Sequence, residues 1–363
     1  MRRSTGRGIR ALTAGVVVAL TGLVPAGPAT AATLACGQTI TQSTVLDNDL
    51  GPCLQHGIVI GADGITLDLN GHTVSGGPGG NDGAGVLVRN RTGVTVRNGT
   101  VRAFDIGVAI DGGSANTVTG VVARDNVGGI GSIGGDGIAI MSSQGNRIIG
   151  NETHNNAPFS GIGLYSRRDS AHPGTPGVAR DNLIANNSVT GNIIGRDRVS
   201  PTDTDNDGIR VENDAVFNTF ENNRVVGNGL DGISLFADTA DNIVRGNTVQ
   251  ANGFYRTTAR RGSGIIVFTR STRNVVENNL VTGNADSGID IRPPLSTFPG
   301  ATNNRIVNNT AVGNSVRPFI PSPVFGPSFD LKDANPGCDD NTWLANRYRT
   351  FNQACVTTGG QQV

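Results

Sequence analysis

The chain has 363 residues, with 29 Lys and Arg against 29 Asp and Glu, 53 Gly and only 4% aromatic residues. That composition excludes a core built from large rings, so the interior must come from many small aliphatic contacts joined by tight turns. The Gly has no three-residue period, which excludes collagen, and no basic patch suggests a nucleic-acid partner.

The first 32 residues read as a secretory leader. Arg2, Arg3, Arg7 and Arg10 form a positive start, Ala11 to Val24 an apolar stretch, and Pro25 to Ala32 a small-residue cleavage zone with Ala29, Thr30 and Ala31 in the A-x-A pattern. The apolar stretch is short for a membrane span of about 20 residues. The chain is therefore expected to be secreted and, once the leader is removed, free of the membrane. Without the leader's 4 Arg the charge is 25 against 29, a net of −4.

Residues 33–56 are read as an N-terminal cap. They hold Cys36 and Cys53, which are 17 apart, as are Cys338 and Cys355 near the other end. In an exported chain an even number of Cys suggests disulfides, and four Cys allow three connectivities. The local pairings Cys36–Cys53 and Cys338–Cys355 are expected, each worth about 3 kcal/mol in the chain-entropy model. A four-thiolate metal site would need CxxC spacing, which the sequence lacks.

From residue 57 to 327 the chain repeats. After the alternating stretch Gly57 to Gly76, short strand copies recur: GVLV at Gly85, GVAI at Gly107, GIAI at Gly137, GIGL at Gly161, GIRV at Gly208, GISL at Gly232, GIIV at Gly264 and GIDI at Gly288. A degenerate copy, SFDL, begins at Ser328. Asn triplets at five-residue spacing follow in register, as in Asn218/Asn223/Asn228 and Asn242/Asn247/Asn252, with Val121 in the middle place of the Asn116/Asn126 set. The basic period is 22 to 24 residues, longer where a repeat carries an insertion. Segments such as Ile243/Val244 and Thr248/Val249 are expected to give two inward residues each. That suits strands of three to five residues rather than a helical turn. Asn tolerates the left-handed conformation and is expected to bend the chain between strands, while its amide bonds to the Asn one coil above and below. Three strands and three bends per repeat make one coil of an all-β solenoid, and the spacing predicts roughly ten coils stacked in parallel. A leucine-rich repeat would need Leu at fixed spacing and a helical segment, and a propeller would need blades of about 40 residues; neither pattern is present.

These GIxI and NxIxxNxxxxN repeats resemble those of right-handed parallel β-helix proteins, the pectate-lyase-like superfamily that includes NosD-type repeat proteins and mannuronan epimerases. The resemblance spans roughly residues 57 to 350. It implies the right-handed fold and an extracellular polysaccharide as partner, but it does not choose the chemistry. Residues 328–363, with the second Cys pair and Trp343, read as a C-terminal cap coil of a monomer that must hide its open strand edge.

If the two aliphatics of GIxI point inward, the alternate residues line an outer face. One column is then Arg210, Ser234, Ile266, Asp290 and Asp330. The next is Tyr165, Glu212, Phe236, Phe268, Arg292 and Lys332. Insertions after Tyr165, before Arg210, before Phe268 and after Arg292 flank this face, and such insertions wall a groove. Rings of Phe236 and Phe268 and the cations Arg167 and Arg168 suit a bound sugar chain. A uronate lyase or epimerase needs a base and a cation, for which Tyr165, His172, His154, Glu212, Arg210 and Arg292 are candidates. A hydrolase needs two carboxylates, offered by Glu212 with Asp290 or Asp207. A motif of the DPHD kind, which the resemblance would lead one to seek, is absent.

Asp203, Asp205 and Asp207 alternate before Gly208, with Asp214 further on, as in a calcium loop; calcium is the one cofactor the sequence offers. The competing reading is that Asp207-Gly208 simply belongs to the repeat, as Asp136-Gly137 and Asp231-Gly232 do. Copper, implied by the NosD resemblance, needs His or Met clusters, whereas this chain has 4 His and 2 Met, scattered. The functional expectation is a polysaccharide lyase, epimerase or hydrolase. The alternative is a non-catalytic carbohydrate-binding or structural solenoid.

Overall fold

In a computed structural model of the chain, the structure describes residues 30–77, 83–128, 134–166, 177–193, 206–254, 262–294, 298–316 and 326–363. Residues 1–29 of the expected leader lie outside these. The strand signal in the sequence becomes parallel pairing throughout. Eleven strands stack into one sheet and 22 into a second, and no α-helix occurs among the described residues. The eleven strands of the first sheet mark eleven coils among the described residues, where about ten were expected; most coils add two short strands to the second sheet, and Thr95–Arg102 and Thr117–Arg124 each fill both places as one strand.

The eleven-strand sheet is made from the GIxI copies. Its later members are Asp136–Met141, Ser160–Tyr165, Asp207–Glu212, Ile233–Leu235, Ile265–Val267, Ile289–Ile291 and Leu331–Asp333. Stacking also takes in both presumed caps. Gln38–Ile40 pairs with Ile58–Ile60, Thr30–Ala32 pairs with Thr44–Leu46, and Arg305–Val307 pairs with Thr342–Leu344. Both local disulfides form as expected, with Cα separations of 5.4 Å for Cys36–Cys53 and 6.1 Å for Cys338–Cys355.

Inside, the aliphatic residues of successive coils stack into one continuous core that runs from Leu34 to Val356. Most short strands of the larger sheet bury only their middle residue; Leu183–Ala185 and Arg305–Val307 bury their last residue as well, and Thr44–Leu46 buries its two end residues. Val244 and Val249 are fully buried, whereas Ile243 and Thr248 are not. A strand of three residues alternates once, so one side chain rather than the expected two turns inward. The Gly that opens each GIxI copy is fixed by close approach. A Cβ at Gly232 would lie 2.4 Å from Val249 Cγ1 and 2.5 Å from the Gly264 carbonyl oxygen.

The asparagines form three buried ladders along the axis. In the first, Nδ2 of Asn146 donates to Oδ1 of Asn182 at 2.8 Å, and the same oxygen also accepts the Asn146 backbone N–H at 2.9 Å. The expectation that these Asn make the left-handed bends is corrected. None of them has positive φ; the residue immediately before each one does, as at Asn222 (φ 56), Gly227 (φ 70) and Asp241 (φ 58). A ladder Asn must aim its amide along the stack, and the preceding residue supplies the turn that allows this.

The register of the last GIxI copy is also corrected. Asp290 pairs with Lys332 and Ile291 with Asp333, two residues later than SFDL predicts. Asp330 is used elsewhere. Its Oδ1 ends the third ladder by accepting the N–H and Nδ2 of Asn314, and its Oδ2 accepts the N–H of Arg349 and Thr350.

Candidate functional site

The outer face of the eleven-strand sheet gathers most of the residues that break the repeat. Two turns of local structure put them there. Residues at the place between the two core aliphatics point away from the core, and so does the residue before the opening Gly, because the chain bulges at that Gly. In the bulge both Gly208 and Ile209 donate to the next coil, to the carbonyls of Asp231 and Gly232, each at 2.9 Å. Asp207 and Arg210 consequently emerge on the same side and pair.

Several of its polar side chains are buried. Arg210 is 3% exposed, Tyr165 4%, Arg292 5% and Asp290 0%. Its N-terminal part is apolar, with Leu87, Ala109, Ala139, Met141 and Tyr165 packed together. From there two polar clusters follow along the axis.

The first cluster surrounds Asp136. Its Oδ1 accepts the Ser160 hydroxyl at 2.5 Å and the Tyr165 phenol at 3.0 Å, while its Oδ2 is buried with no hydrogen-bond partner. Burial pushes the Asp136 carboxyl up to about 7, against the pull of those two hydroxyls and of Arg210. Burial, and then the neighbouring Asp136, push the Tyr165 phenol well above its ordinary range. Two coils on, within the strand Asp207–Glu212, Arg210 bridges Asp207 Oδ2 (3.0 Å) and both oxygens of Glu212 (2.8 and 3.3 Å). Its guanidinium lies 4.5 Å from the centre of the Phe236 ring, which stacks on Phe268 with centroids 4.5 Å apart. In the ion pair of Arg210 with Glu212, Arg210 is buried and Glu212 is partly exposed.

The second cluster surrounds Asp290. Its Oδ2 faces Arg292 Nη2 (3.3 Å), Lys332 Nζ (3.5 Å) and the Ser263 hydroxyl (3.4 Å), and its Oδ1 is buried without a hydrogen-bond partner. Burial raises Asp231 to about 7, opposed first by Arg292 and then by the Ser263 N–H, and reinforced by Asp286 and Asp290. Asp286 is raised by burial and by Asp290, opposed by a hydrogen bond from the Ser328 hydroxyl. The clusters touch, since the Asp231 N–H donates to Asp207 Oδ1 at 2.9 Å.

Of the residues singled out from sequence, Tyr165, Arg210, Glu212, Phe236, Phe268, Asp290 and Arg292 share this face. His154 does not: it lies on the larger sheet, 3.8 Å from Glu152. His172, Arg167, Arg168, Asp203 and Asp205 lie outside the described residues, as do most of the insertions expected to wall a groove. Asp207, the remaining member of the calcium triad, has both oxygens engaged, by Arg210 and by the Asp231 N–H. Among the described residues no group of three His, Cys, Asp or Glu is arranged to hold a metal ion. Sequence reasoning missed Asp136, Asp231 and Asp286. The first two were visible as the Asp before the strand Gly but looked like part of the repeat. Lys332 was assigned to the column of Arg292 and in fact stands beside Asp290.

A family model described as "Right handed beta helix region" matches residues 32–202 and 179–360. No curated protein matches the sequence. Among solved structures, the chain is similar to the Dettilon tailspike protein, at 18% identity and a TM-score of 0.55, over 85% of this chain and 55% of the tailspike. The chain thus spans little more than half the length of that protein. It is also similar to a mutant of the periplasmic alginate epimerase AlgG, at 15% identity and a TM-score of 0.50, over 79% of this chain and 74% of that one. A pectate lyase aligns at 14% identity and a TM-score of 0.48, over 83% and 71%. At these identities the likeness speaks for the fold.

Proposed function

Because the chain belongs to the right-handed β-helix family, of the pectate-lyase-like kind, we propose that it is an exported protein that holds an extended glycan along the outer face of its eleven-strand sheet and hydrolyses it there. The observation that carries this reading is that two buried carboxylates, Asp231 and Asp290, stand near enough for Asp290 to act on Asp231. Asp231 is lifted to about 7 by burial, the range a general acid needs to hold its proton near neutral pH. Asp290, between Arg292 and Lys332, supplies the second carboxylate, as base or nucleophile. Export is supported by the leader-like start and by two disulfides. That the same fold serves an alginate epimerase and a tailspike keeps glycan chemistry in view.

A uronate lyase or epimerase fits less well. Tyr165, one of the bases it could use, is driven away from the phenolate. Arg210, the cation it would use, already faces two carboxylates. The competing reading is a non-catalytic solenoid, which the burial and mutual pairing of these charges also suit.

Incubating the purified protein with a panel of neutral and uronic polysaccharides tests this. New reducing ends without unsaturated uronate absorbance are expected. Asp231→Asn and Asp290→Asn should each lower the rate about 100-fold or more. Wild-type activity should fall as pH rises through about 7, as Asp231 loses its proton, and Asp231→Asn should remove that limb. Binding without products across the panel would leave the non-catalytic solenoid.

A further inference from the structure

Of the 29 Lys and Arg residues in the chain, only Lys332 is a lysine. It is 3% exposed, and its Nζ lies 3.5 Å from Oδ2 of Asp290, its register partner on the neighbouring strand. Arginine is the better residue for a buried ion pair, because its guanidinium is more weakly hydrated and grips a carboxylate with two N–H groups. What lysine has and arginine lacks is a primary amine, which becomes a nucleophile once it gives up a proton. Asp290 is the matching half. It is fully buried, its Oδ2 faces Arg292 Nη2 at 3.3 Å and the Ser263 hydroxyl at 3.4 Å, and its Oδ1 has no hydrogen-bond partner. Two opposite charges in a dry interior carry a desolvation cost that their attraction offsets only in part. An amide in their place is neutral. Both groups belong to the chain itself, so burial shields a reaction between them and no ligand has to enter.

We propose that Lys332 Nζ and Asp290 Cγ condense in the folded chain to an isopeptide bond, which ties the last strand of the eleven-strand sheet, Leu331–Asp333, to Ile289–Ile291. One proton passes from the ammonium to the carboxylate, leaving a neutral amine and a neutral acid. The nitrogen then attacks Cγ, a C–N bond forms, and negative charge collects on Oδ2, where Arg292 and Ser263 stand to hold it. A second proton leaves the nitrogen for Oδ1, the Cγ–Oδ1 bond breaks, and Oδ1 departs as water. No other reactant is consumed. Asp286, raised by burial and by Asp290, also senses Lys332 and is an acid suited to carrying these protons. Amide formation from free acid and amine is unfavourable in water, but groups fixed side by side reach effective concentrations of order 10⁵ M or more. The bond goes beyond the hydrolase reading and does not rest on it. A chain that carries it has no Asp290 carboxylate left, so the bond and hydrolysis belong to different molecules.

The test is mass spectrometry of the purified full chain after reduction and denaturation, which is expected to be lighter than its sequence by one water. A succinimide at an Asp-Gly step such as Asp136-Gly137 would lose the same water, so tryptic fragments decide. Arg292 and Arg317 precede Pro and resist trypsin, which places Asp290 in the fragment Asn274–Arg305 and makes Lys332 the end of the next one, Ile306–Lys332. With the bond in place Lys332 is acylated and left uncut, and Asn274–Arg305 should appear branched onto Ile306–Arg347. Because Lys332 is the only lysine, an amine-reactive label on the denatured chain should find the N-terminus alone. Lys332→Arg keeps a cation beside Asp290 but cannot form the bond. Once circular dichroism shows that it folds, it should run at full mass with no branched fragment. A water loss that persists in Lys332→Arg would place the loss elsewhere and overturn the proposal. So would wild-type protein that yields only separate Asn274–Arg305 and Ile306–Lys332 after prolonged incubation in the folded state, and the hydrolase reading would then stand untouched. A branched fragment in nearly every chain of an active preparation would uphold the bond and remove Asp290 from the hydrolase reading.

Discussion

Asn223 shows what a ladder position does. Its Oδ1 accepts the backbone N–H of Asn187 at 3.0 Å and the Asn187 Nδ2 at 2.9 Å, while its own Nδ2 donates to Asn247 Oδ1 at 3.0 Å and to the Ile184 carbonyl at 2.9 Å. Asn223→Ala strands donors on Asn187 and acceptors on Asn247 and Ile184 in a dry interior. It is expected to cost about 2–4 kcal/mol in urea unfolding, and a change under 0.5 kcal/mol would contradict the ladder. Asn223→Asp keeps an acceptor but loses both donors and buries a carboxylate, so it should be no better. The spacing of these Asn was plain in the sequence; their conformation was not. The left-handed residue is the one before each, and that place is filled by Gly and Asn but also by Phe217 (φ 57) and Arg273 (φ 56). Composition therefore does not mark it, because the ladder enforces the turn from outside.

At the scale of the element, the GIxI strand carries both the core and the site. Its alternation identified the inward residues Ile209, Val211, Ile233 and Leu235, all fully buried. It also identified the column holding Arg210 and Asp290. The acidic residue ahead of the Gly escaped notice because whether an Asp-Gly step is a turn or a catalytic carboxylate depends on the neighbouring coils. Asp136 makes the difference measurable. Its pKa is about 7 in the folded chain against 3.8 ordinarily, so between these values the folded state holds a proton that the unfolded state has released. Stability must then fall as pH rises from about 4 to about 7, by roughly 4 kcal/mol at most from this group, and level off above. Asp136→Asn should reduce that slope in urea melts taken across the window, leaving the part of the same sign that Asp231 contributes; an unchanged slope would mean that burial does not raise this carboxyl.

Across the whole molecule, each coil touches only its neighbours, so stability is a sum along the stack and the ends are its weak points. The C-terminal end is held by Cys338–Cys355 and by Asp333, whose two oxygens take the Asn335 amide, the Asn341 amide and the Trp343 indole N–H. Replacing both cysteines by Ala is expected to remove about 3 kcal/mol. Hydrogen exchange should rise across residues 331–362 and stay slow in the middle coils. Uniform acceleration along the chain would instead mean that the rod unfolds as one unit. The sequence by itself determined the repeat, the parallel solenoid and the identity of one face as unusual, because these depend on periods and spacings carried within single coils. Only the tertiary structure decided the register of the last coil, the burial of Arg210 and Asp290, and the joining of Asp231, Asp286 and Lys332 into one cluster. These depend on which residues of different coils stand side by side, and insertions of unequal length hide that from the linear order.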